Sequence, residues 1–441
     1  MILVSVVIPV FNNAENLRNC LTGLKLVVTS EIQVVVIDDG STDQSPFVAA
    51  SFSEEFENFE FQIVTQNKGV GNARNLGLNL SSGTYVYFLD CDDTVSGNFS
   101  DALKSDLSAN ADLVFAPVLK IPSGSSNESH LAFFAREHKM DRENLLSSLD
   151  KFESWPQECW GYYIRREFLS HNKIEISDIR IAEDIVFMTE VFCKLETYSV
   201  INSPIYIHHR IPGSLGKSFS SFDAASWFKA FLGMVHIAKQ FSSESIEGRL
   251  IANRTATVLS YFLLGYRANE SSFERDIFEN FKKREYFQPL WDLAGISPDK
   301  SAGIDVILNS LLDVCSKNIQ KLLTIVGAGK TYLYCYDRLS LGIFQIMKAQ
   351  NFKVDGFLDD NIELLIPSHE ISTMPITPKT LDGKLPKGST FIVCHDKQSV
   401  YLEKKKRFSY LEGSSLRIVR FTTHDFVVGL HFEKLFRQNS E

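Results

Sequence analysis

Short apolar runs alternate with amphipathic segments through the first hundred residues. Val4–Val10 is a continuous, mostly β-branched run, which is typical of a strand buried on both faces. The segment after it predicts an amphipathic helix, because its apolar residues recur at helical spacing: Leu17, Cys20, Leu21 and Leu24. Further predicted elements are the strands Ile32–Ile37, Phe61–Thr65 and Thr84–Leu89, with a helix over 69–80. Strands separated by helices indicate an α/β fold with a mostly parallel, doubly wound sheet.

The pattern changes twice in the rest of the chain. Up to about residue 220 we expect a helix beginning near Ile181 and the strands Asp112–Leu119, Cys159–Arg166 and Ser199–His209. Residues 222–319 carry apolar stripes at helical spacing, which predict a packed helical bundle or a dimer face. An α/β pattern then returns, with predicted strands Leu322–Val326, Lys353–Leu358, Thr390–Cys394 and Leu416–Phe421. We therefore expect three domains, over 1–220, 221–319 and 320–441.

Composition excludes several classes of protein. The 441 residues carry 45 Lys and Arg against 54 Asp and Glu, so no whole-chain basic field exists and we expect no nucleic-acid partner. No stretch approaches the roughly 18 apolar residues of a membrane span. The N-terminus lacks the basic region of a signal peptide, and seven cysteines form no CxxC pair. These features predict a cytoplasmic chain without a zinc site or a disulfide framework.

Two acidic clusters directly follow predicted strands. Asp38 and Asp39 come after the second strand, and Asp90, Asp92 and Asp93 after the fourth. Ligands of open parallel sheets bind beyond the carboxyl ends of the strands. Carboxylates this close repel one another unless a divalent cation or a sugar hydroxyl compensates them, and Mg²⁺ or Mn²⁺ commonly bridges carboxylates to a diphosphate. The alternative is that both clusters are solvated turns, since Asp-Asp-Gly-Ser is also good turn chemistry.

Five ordered motifs carry a family resemblance. They are Val7-Ile8-Pro9-Val10-Phe11-Asn12, Val36-Ile37-Asp38-Asp39-Gly40-Ser41-Thr42-Asp43, Asn67-Lys68-Gly69-Val70-Gly71-Asn72-Ala73-Arg74-Asn75, Tyr87-Phe88-Leu89-Asp90-Cys91-Asp92-Asp93 and Glu183-Asp184-Ile185-Val186-Phe187. In this order and spacing, the chain resembles the family 2 glycosyltransferases of GT-A fold over roughly residues 3–215. The resemblance implies a GT-A type sheet, followed here by the helical region and a small C-terminal Rossmann-like domain.

The resemblance also implies roles for individual residues. Residues of the nucleotide-sugar donor site would be Pro9, Phe11, Glu15, Asp39, Asn67, Gly69, Arg74 and Asp90. Asp92 of the DXD motif would bind Mn²⁺ or Mg²⁺, and Asp184 would be the catalytic base. One base suffices, because transfer with inversion requires only that the acceptor hydroxyl lose its proton as it attacks. The alternative for Glu183 and Asp184 is an ordinary acidic first helical turn, which the helix dipole favours.

Four further residues are candidates for the acceptor side or a lid. The resemblance implies that Trp160 lines the acceptor side of the site. The alternative is that Trp160 only packs in the core. One of His208, His209 and Arg210 would contact the metal or the diphosphate, or the three residues would only end a strand. Family members usually have Tyr-x-Tyr-Arg here, whereas this chain has Tyr206-Ile207-His208-His209-Arg210, which leaves the lid contacts open.

The C-terminal segment contains a weaker motif. Gly327 and Gly329 follow a predicted strand and resemble the start of a dinucleotide-binding fingerprint, while Asp359 ends the next strand. The third glycine is missing, so a nucleotide site and a purely structural or interaction role both stay open. The basic run Lys404–Arg407 would contact anionic lipid or form a solvated helix face.

The resemblance implies a metal-dependent, inverting glycosyltransferase. It would move a sugar from a nucleotide-diphosphate donor to a hydroxyl of a bacterial surface glycan or lipid-linked glycan. We expect the donor to be a UDP-sugar. It would work in the cytoplasm or at the inner face of the plasma membrane, with homo-oligomerisation open. The alternatives are an inactive nucleotide-sugar-binding or scaffold protein, and a bifunctional enzyme with a second activity in the C-terminal domain.

Overall fold

In the computed structural model the chain divides into two compact units, each described by itself. The first comprises Met1–Ser147 and Pro156–Ile211, and the second Ser148–Trp155 and Pro212–Glu441. The structure describes residues 2–97, 99, 110–116, 118–121, 128–129, 141–151, 158–201, 205–209, 221–268, 287–295, 304–325, 331–334, 343–344, 346–348, 351–358, 389–394, 416–421, 423–428 and 430–436. The predicted separation of 221–319 from 320–441 stays a prediction.

The first unit alternates strands and helices as its sequence predicts. Its strands are β1 Val4–Val10, β2 Ile32–Asp38, β3 Phe59–Ile63, β4 Tyr85–Phe88, β5 Thr94–Val95, β6 Leu113–Phe115, β7 Val118–Ile121, β8 Glu128–Ser129, β9 Tyr162–Arg165, β10 Tyr198–Val200 and β11 Tyr206–His209. The helices up to residue 194 are α1 Ala14–Lys25, α2 Ser45–Ser51, α3 Val70–Leu80, α4 Arg142–Lys151, α5 Arg166–His171 and α6 Glu183–Lys194.

A seven-stranded sheet forms the centre of this unit. Its order is β10-β6-β9-β4-β1-β2-β3, and every neighbouring pair is parallel except those that β9 makes with β4 and β6. All residues of β1 and β2 are buried, as their unbroken apolar runs require. Helix α3 packs closely on β1, because a Cβ at Gly77 would lie 2.3 Å from Val7. The predicted α/β class with a mostly parallel sheet is confirmed.

Two predicted strands each divide into two strands that belong to different sheets. The segment Asp112–Leu119 forms β6 in the large sheet and β7 in a four-stranded sheet of order β5-β11-β7-β8. Between them the sequence has Pro117, which lacks the N–H that a continuous ladder needs. Ser199–His209 likewise forms β10 in the large sheet and β11 in the small one. The prediction of single strands was wrong at both places.

The second unit contains helices and a smaller sheet. Its described helices from residue 221 onwards are α7 Ser221–Ala238, α8 Ile246–Ala268, α9 Gln288–Ala294, α10 Ile304–Ile325 and α11 Thr423–Val427, with a 3₁₀ turn at Phe432–Phe436. Its strands are β12 Thr331–Tyr334, β13 Gly356–Leu358, β14 Ser389–Cys394 and β15 Leu416–Phe421, all parallel in the order β13-β12-β14-β15. Within the described parts of the chain, no helix is both long and apolar enough to cross a membrane.

The strand predicted at Leu322–Val326 is wrong. Residues up to Ile325 belong to α10, whose buried residues recur at helical spacing: Ile307, Leu308, Leu311, Leu312, Cys315, Ile319 and Leu322. The helical period of this stripe outweighs the β propensity of its last few residues. Gly327, Gly329 and Asp359 lie outside the described residues. A helix rather than a strand therefore precedes the two glycines, and the nucleotide site predicted there stays a prediction without its expected strand.

Candidate active site

Asp39 closes the N-terminal end of α3. This aspartate follows β2 and is 3% exposed, and its two carboxylate oxygens accept hydrogen bonds from the backbone N–H groups of Lys68, at 3.0 Å, and Gly69, at 2.7 Å. Burial raises the pKa of Asp39, although these two N–H groups act in the opposite direction. Asn67 is exposed and supports the same turn, because its side-chain oxygen also accepts from Gly69 N–H at 3.1 Å.

Gly40 allows this close approach of the two loops. Its φ is +81°, and a Cβ built there would lie 2.9 Å from the backbone nitrogen of Asn67. Both observations require glycine. Residues that carry a side chain rarely adopt this φ, and the backbone nitrogen of Asn67 cannot move away easily from an added Cβ. The loop after β2 is also held to the loop after β1, where Asn12 accepts from Thr42 N–H at 2.7 Å and donates its own N–H to Ser41 Oγ at 2.8 Å.

Arg74, on α3, connects two acidic residues that are far apart in the chain. Its Nη2 donates to Asp90 Oδ1 and its Nη1 to Glu183 Oε1, both at 2.8 Å. The Arg74 side chain is 6% exposed and that of Glu183 9%. Burial raises the pKa of Glu183, and the Arg74 charge offsets part of that rise. The predicted donor residues Arg74 and Asp90 are thus brought together, with Glu183 as a third member.

Asp184 lies beside this bridge at the start of α6. Ala182, just before the helix, has a left-handed backbone with φ 74°, and Asp184 accepts a hydrogen bond from Ile185 N–H at 2.9 Å. The side chain keeps partial access to solvent. Burial, followed by the Glu183 charge, raises the pKa of Asp184 well above its ordinary value. A carboxylate with a raised pKa is a stronger base, which suits proton abstraction.

The loop after β4 gathers three carboxylates. Asp90, Asp92 and Asp93 each have an oxygen within 4.8 Å of the others, and they could hold a metal ion. Burial, and then the charges of Asp90 and Asp93, raise the pKa of Asp92 to about 6. This cost of bringing like charges together is what a bound cation would relieve. An all-oxygen donor set of this kind suits Mg²⁺ or Mn²⁺.

Asp93 differs from the other two carboxylates because it is almost fully buried, at 1% exposed. It accepts a short hydrogen bond from the Tyr206 hydroxyl and one from His209 N–H at 2.7 Å. The ring nitrogen Nδ1 of His208 lies 3.1 and 3.2 Å from its two oxygens. These contacts attach β11 to the acidic loop.

Three aromatic rings extend this arrangement. Trp160 stacks on Tyr206, with ring centroids 4.8 Å apart, and on His208, at 5.2 Å. Trp160 packs against the core but is only partly buried. The two interpretations of this residue, core packing and acceptor contact, are therefore compatible. His209 turns the other way, and its Nε2 lies 2.8 Å from Thr94 Oγ1.

The remaining predicted donor residues lie along β1 and α1. Pro9 is buried within β1 opposite Ile37, whereas Phe11 is 45% exposed and Glu15 is exposed on α1. Their predicted contacts with a nucleotide stay predictions. Arg210, predicted with the two histidines, lies outside the described residues.

The sequence predictions missed the partners that orient these groups. Glu183 as the partner of Arg74 could not be inferred, since 109 positions separate the two. Asp93 and Tyr206 were also missed as a pair, although one signal was present. Tyr206 and His208 are two residues apart on a strand, so they must project from the same face. Cys159 is a further residue that the sequence predictions missed. It is 1% exposed and lies close enough to Arg74 and Asp184 for their charges to affect the pKa of its thiol.

Comparison with known proteins finds similarity to glycosyltransferases. Residues 5–172 match the family described as "Glycosyl transferase family 2". The "Uncharacterized glycosyltransferase EpsJ" of Bacillus subtilis is 26% identical over 224 residues, which cover 48% of this chain and 62% of EpsJ. The "Minor teichoic acid biosynthesis protein GgaB" of the same organism is 24% identical over 216 residues, which cover 47% of this chain and 23% of GgaB.

A solved structure of S. aureus TarS 1-349 in complex with UDP-GlcNAc has a TM-score of 0.47 and 17% identity, covering 80% of this chain and 93% of the TarS 1-349 chain. This chain spans less than two thirds of the length of EpsJ and GgaB. The family match includes β1 to β4, α3, the acidic loop and β9. The similarity to glycosyl transferase family 2 therefore covers residues 5–172, the segment that contains the acidic loop.

Proposed function

We propose that this chain is a metal-dependent, inverting glycosyltransferase that transfers a sugar from a nucleotide-diphosphate donor to a hydroxyl group. The observation that carries the proposal is the convergence of Asp90, Asp92 and Asp93 within 4.8 Å at the carboxyl end of β4. This cluster lies inside the segment that matches glycosyl transferase family 2. In a parallel sheet that edge is where ligands bind.

Asp92 would hold a Mn²⁺ or Mg²⁺ ion, with Asp90 beside it. Asp92 remains partly exposed, and its raised pKa of about 6 reflects charge repulsion that a cation would relieve. When bound, such an ion supplies positive charge that stabilises the departing nucleoside diphosphate. Arg74 holds Asp90 in place through its 2.8 Å hydrogen bond.

Asp184 would take the proton from the acceptor hydroxyl. Its carboxylate lies at the start of α6 next to Glu183, which Arg74 connects to the acidic loop. With the leaving group stabilised separately, one carboxylate is enough for a reaction that inverts the anomeric centre. The raised pKa of Asp184 gives it a greater driving force for accepting a proton.

The donor and acceptor are proposed more broadly. Asp39, fixed by the N–H groups of Lys68 and Gly69, is the proposed contact to the nucleotide base. A UDP-linked donor follows from the family resemblance. The proposal of a surface-glycan acceptor is supported by the similarity to GgaB, which is described as a minor teichoic acid biosynthesis protein.

The test is hydrolysis and transfer of UDP-sugars in the presence of Mn²⁺ by wild type and by Asp184→Asn. We expect wild-type turnover, and in the variant a loss of turnover by orders of magnitude with donor affinity unchanged, because the base acts mainly in the transition state. Equal turnover by both proteins would remove Asp184 from the mechanism. Donor binding without turnover by wild type would favour an inactive nucleotide-sugar-binding protein instead.

A further inference from the structure

Asp93 has little capacity left for a metal ion. A carboxylate offers about four acceptor positions on its two oxygens. Oδ1 already accepts from His209 N–H at 2.7 Å and Oδ2 from the Tyr206 hydroxyl, while His208 Nδ1 lies 3.2 and 3.1 Å from the two. The residue is also 1% exposed, whereas Asp90 and Asp92 keep partial access to solvent. Of the three clustered carboxylates, Asp93 is thus the one whose two oxygens are already occupied by hydrogen bonds within the protein.

The same contacts fix the state of the His208 ring. An ionised carboxylate can only accept hydrogen bonds, so Nδ1 of His208 must carry the proton. In the neutral ring this leaves Nε2 as the nitrogen with the free lone pair. Trp160 stacks on the ring at 5.2 Å with 19° between the planes, which restricts its rotation. The His208 side chain remains 28% exposed, so the ring as a whole is not enclosed.

We infer that Asp93 is a positioning residue and not a cation ligand: it fixes β11 against the acidic loop and selects the His208 tautomer that presents Nε2. The inference rests on the proposed function only in that the presented nitrogen would serve the donor and metal site. A carboxylate that orients a histidine in this way is a common arrangement around metal sites. Asp92 and Asp90 would then bind the cation.

The direct test is the His208 tautomer, measured without metal by ¹⁵N NMR of histidine-labelled full-length protein at a pH where the ring is neutral. Wild type should show the Nδ1–H form. In Asp93→Asn the amide oxygen must face His209 N–H, which can only donate. The amide NH₂ then takes the position of Oδ2, the nearer oxygen at 3.1 Å from His208 Nδ1, and favours a nitrogen without a proton there, so this variant should shift from the Nδ1–H form toward the Nε2–H form.

Tyr206→Phe is the matched control. It removes one hydrogen bond of Asp93 and leaves the carboxylate facing His208, so the Nδ1–H form should persist. An unchanged tautomer in Asp93→Asn would overturn the inference, and so would an equal change in Tyr206→Phe. The control also separates the effect of the carboxylate from general loosening of β11, because either variant removes a contact between β11 and the acidic loop.

Mn²⁺ affinity tests the second half of the inference. Asp93→Asn, His208→Gln and the double variant form a cycle, and contacting residues whose effects act through one another give non-additive changes. We expect the double variant to bind Mn²⁺ as His208→Gln does, within about threefold. A further loss clearly greater than threefold in the His208→Gln background would identify Asp93 as a ligand, because an effect that acts only through His208 is already absent there. If wild type binds no Mn²⁺, the proposed function fails, while the metal-free tautomer measurement still decides the role of Asp93.

Discussion

Arg74 donates one hydrogen bond to Asp90 and another to Glu183, each at 2.8 Å. Asp90 belongs to the acidic loop after β4, and Glu183 directly precedes the proposed base Asp184. The guanidinium therefore connects the proposed metal-binding and proton-accepting parts of the site. A planar group with two forked pairs of donors is suited to this, whereas an ammonium group would reach only one of the two carboxylates well.

Replacing Arg74 with Met should destabilise the protein by about 3 kcal/mol or more, because it leaves two carboxylates without their buried partner. Urea denaturation at pH 7 measures the effect. The control is Lys25→Met, which breaks an ion pair with Glu55 whose side chains are 45% and 43% exposed. That change should cost less than about 1 kcal/mol. Similar losses in the two variants would show that the Arg74 bridge does not stabilise this part of the fold.

Transfer should depend on pH through Asp184. Burial raises the pKa of this group, and only its ionised form accepts a proton, so kcat should fall as pH drops through the raised pKa and level off above it. A pH–rate profile at saturating donor and metal tests this. In Asp184→Asn the residual rate should lose this ionisation. A profile of the same shape in the variant would assign the ionisation to another group.

Gly40→Ala should destabilise the loop that carries Asp39. Its φ of +81° disfavours a side chain, and the added Cβ would lie 2.9 Å from the backbone of Asn67, so we expect a loss of about 1–3 kcal/mol. Gly23→Ala is the control, since that helical position has no heavy atom within 4 Å of the new Cβ. It should stabilise by about 0.5–1 kcal/mol. Thermal or urea unfolding of both variants decides, and an unaffected Gly40→Ala would contradict the described turn.

Asp112 predicts a pH dependence of stability. Burial alone would raise its pKa, but Arg165 and the N–H groups of Glu196 and Thr197 bring the pKa below its ordinary value. A lowered pKa means that its contribution is present above the unfolded-state pKa, about 3.9, and is lost as pH falls through the lower folded-state value. Asp112→Asn should cost about 2 kcal/mol at pH 7.

The difference between wild type and Asp112→Asn should shrink below about pH 4. Urea unfolding at pH 7 and pH 3 measures both quantities. Glu167→Gln serves as the control, because Glu167 pairs with the same Arg165 at 3.3 Å while its side chain is 81% exposed. That variant should lie within about 1 kcal/mol of wild type at either pH. A constant difference for Asp112→Asn at the two pH values would contradict the assigned shift.

Local patterns predicted the centre of the first unit well. The unbroken apolar run Val4–Val10 is β1 with the predicted bounds, and β2 begins at Ile32 as predicted and ends at Asp38, one residue beyond the predicted Ile37. Such features depend on neighbouring residues only. The prediction failed where two local signals competed, as at Leu322–Val326, where a helical stripe continued through residues of high β propensity.

Contacts between distant residues could not be predicted from one sequence. Arg74 and Glu183 are 109 positions apart, and Asp93 lies 113 positions from Tyr206. The sequence around each of these residues does not specify the partner. Each pair forms only because the fold brings α3 next to α6, and the loop after β4 next to β11. The acidic residues themselves were therefore predictable, while the groups that orient them were not.

Calorimetric titration of UDP into the full chain with and without Mn²⁺, for wild type and Asp92→Ala, shows whether the acidic loop binds the metal that holds the nucleotide. We predict that wild type binds UDP much more tightly with Mn²⁺ than without it. In Asp92→Ala the metal should make no difference, while binding without metal stays as in wild type. Equal enhancement by Mn²⁺ in both proteins would contradict the assignment of the metal to this loop.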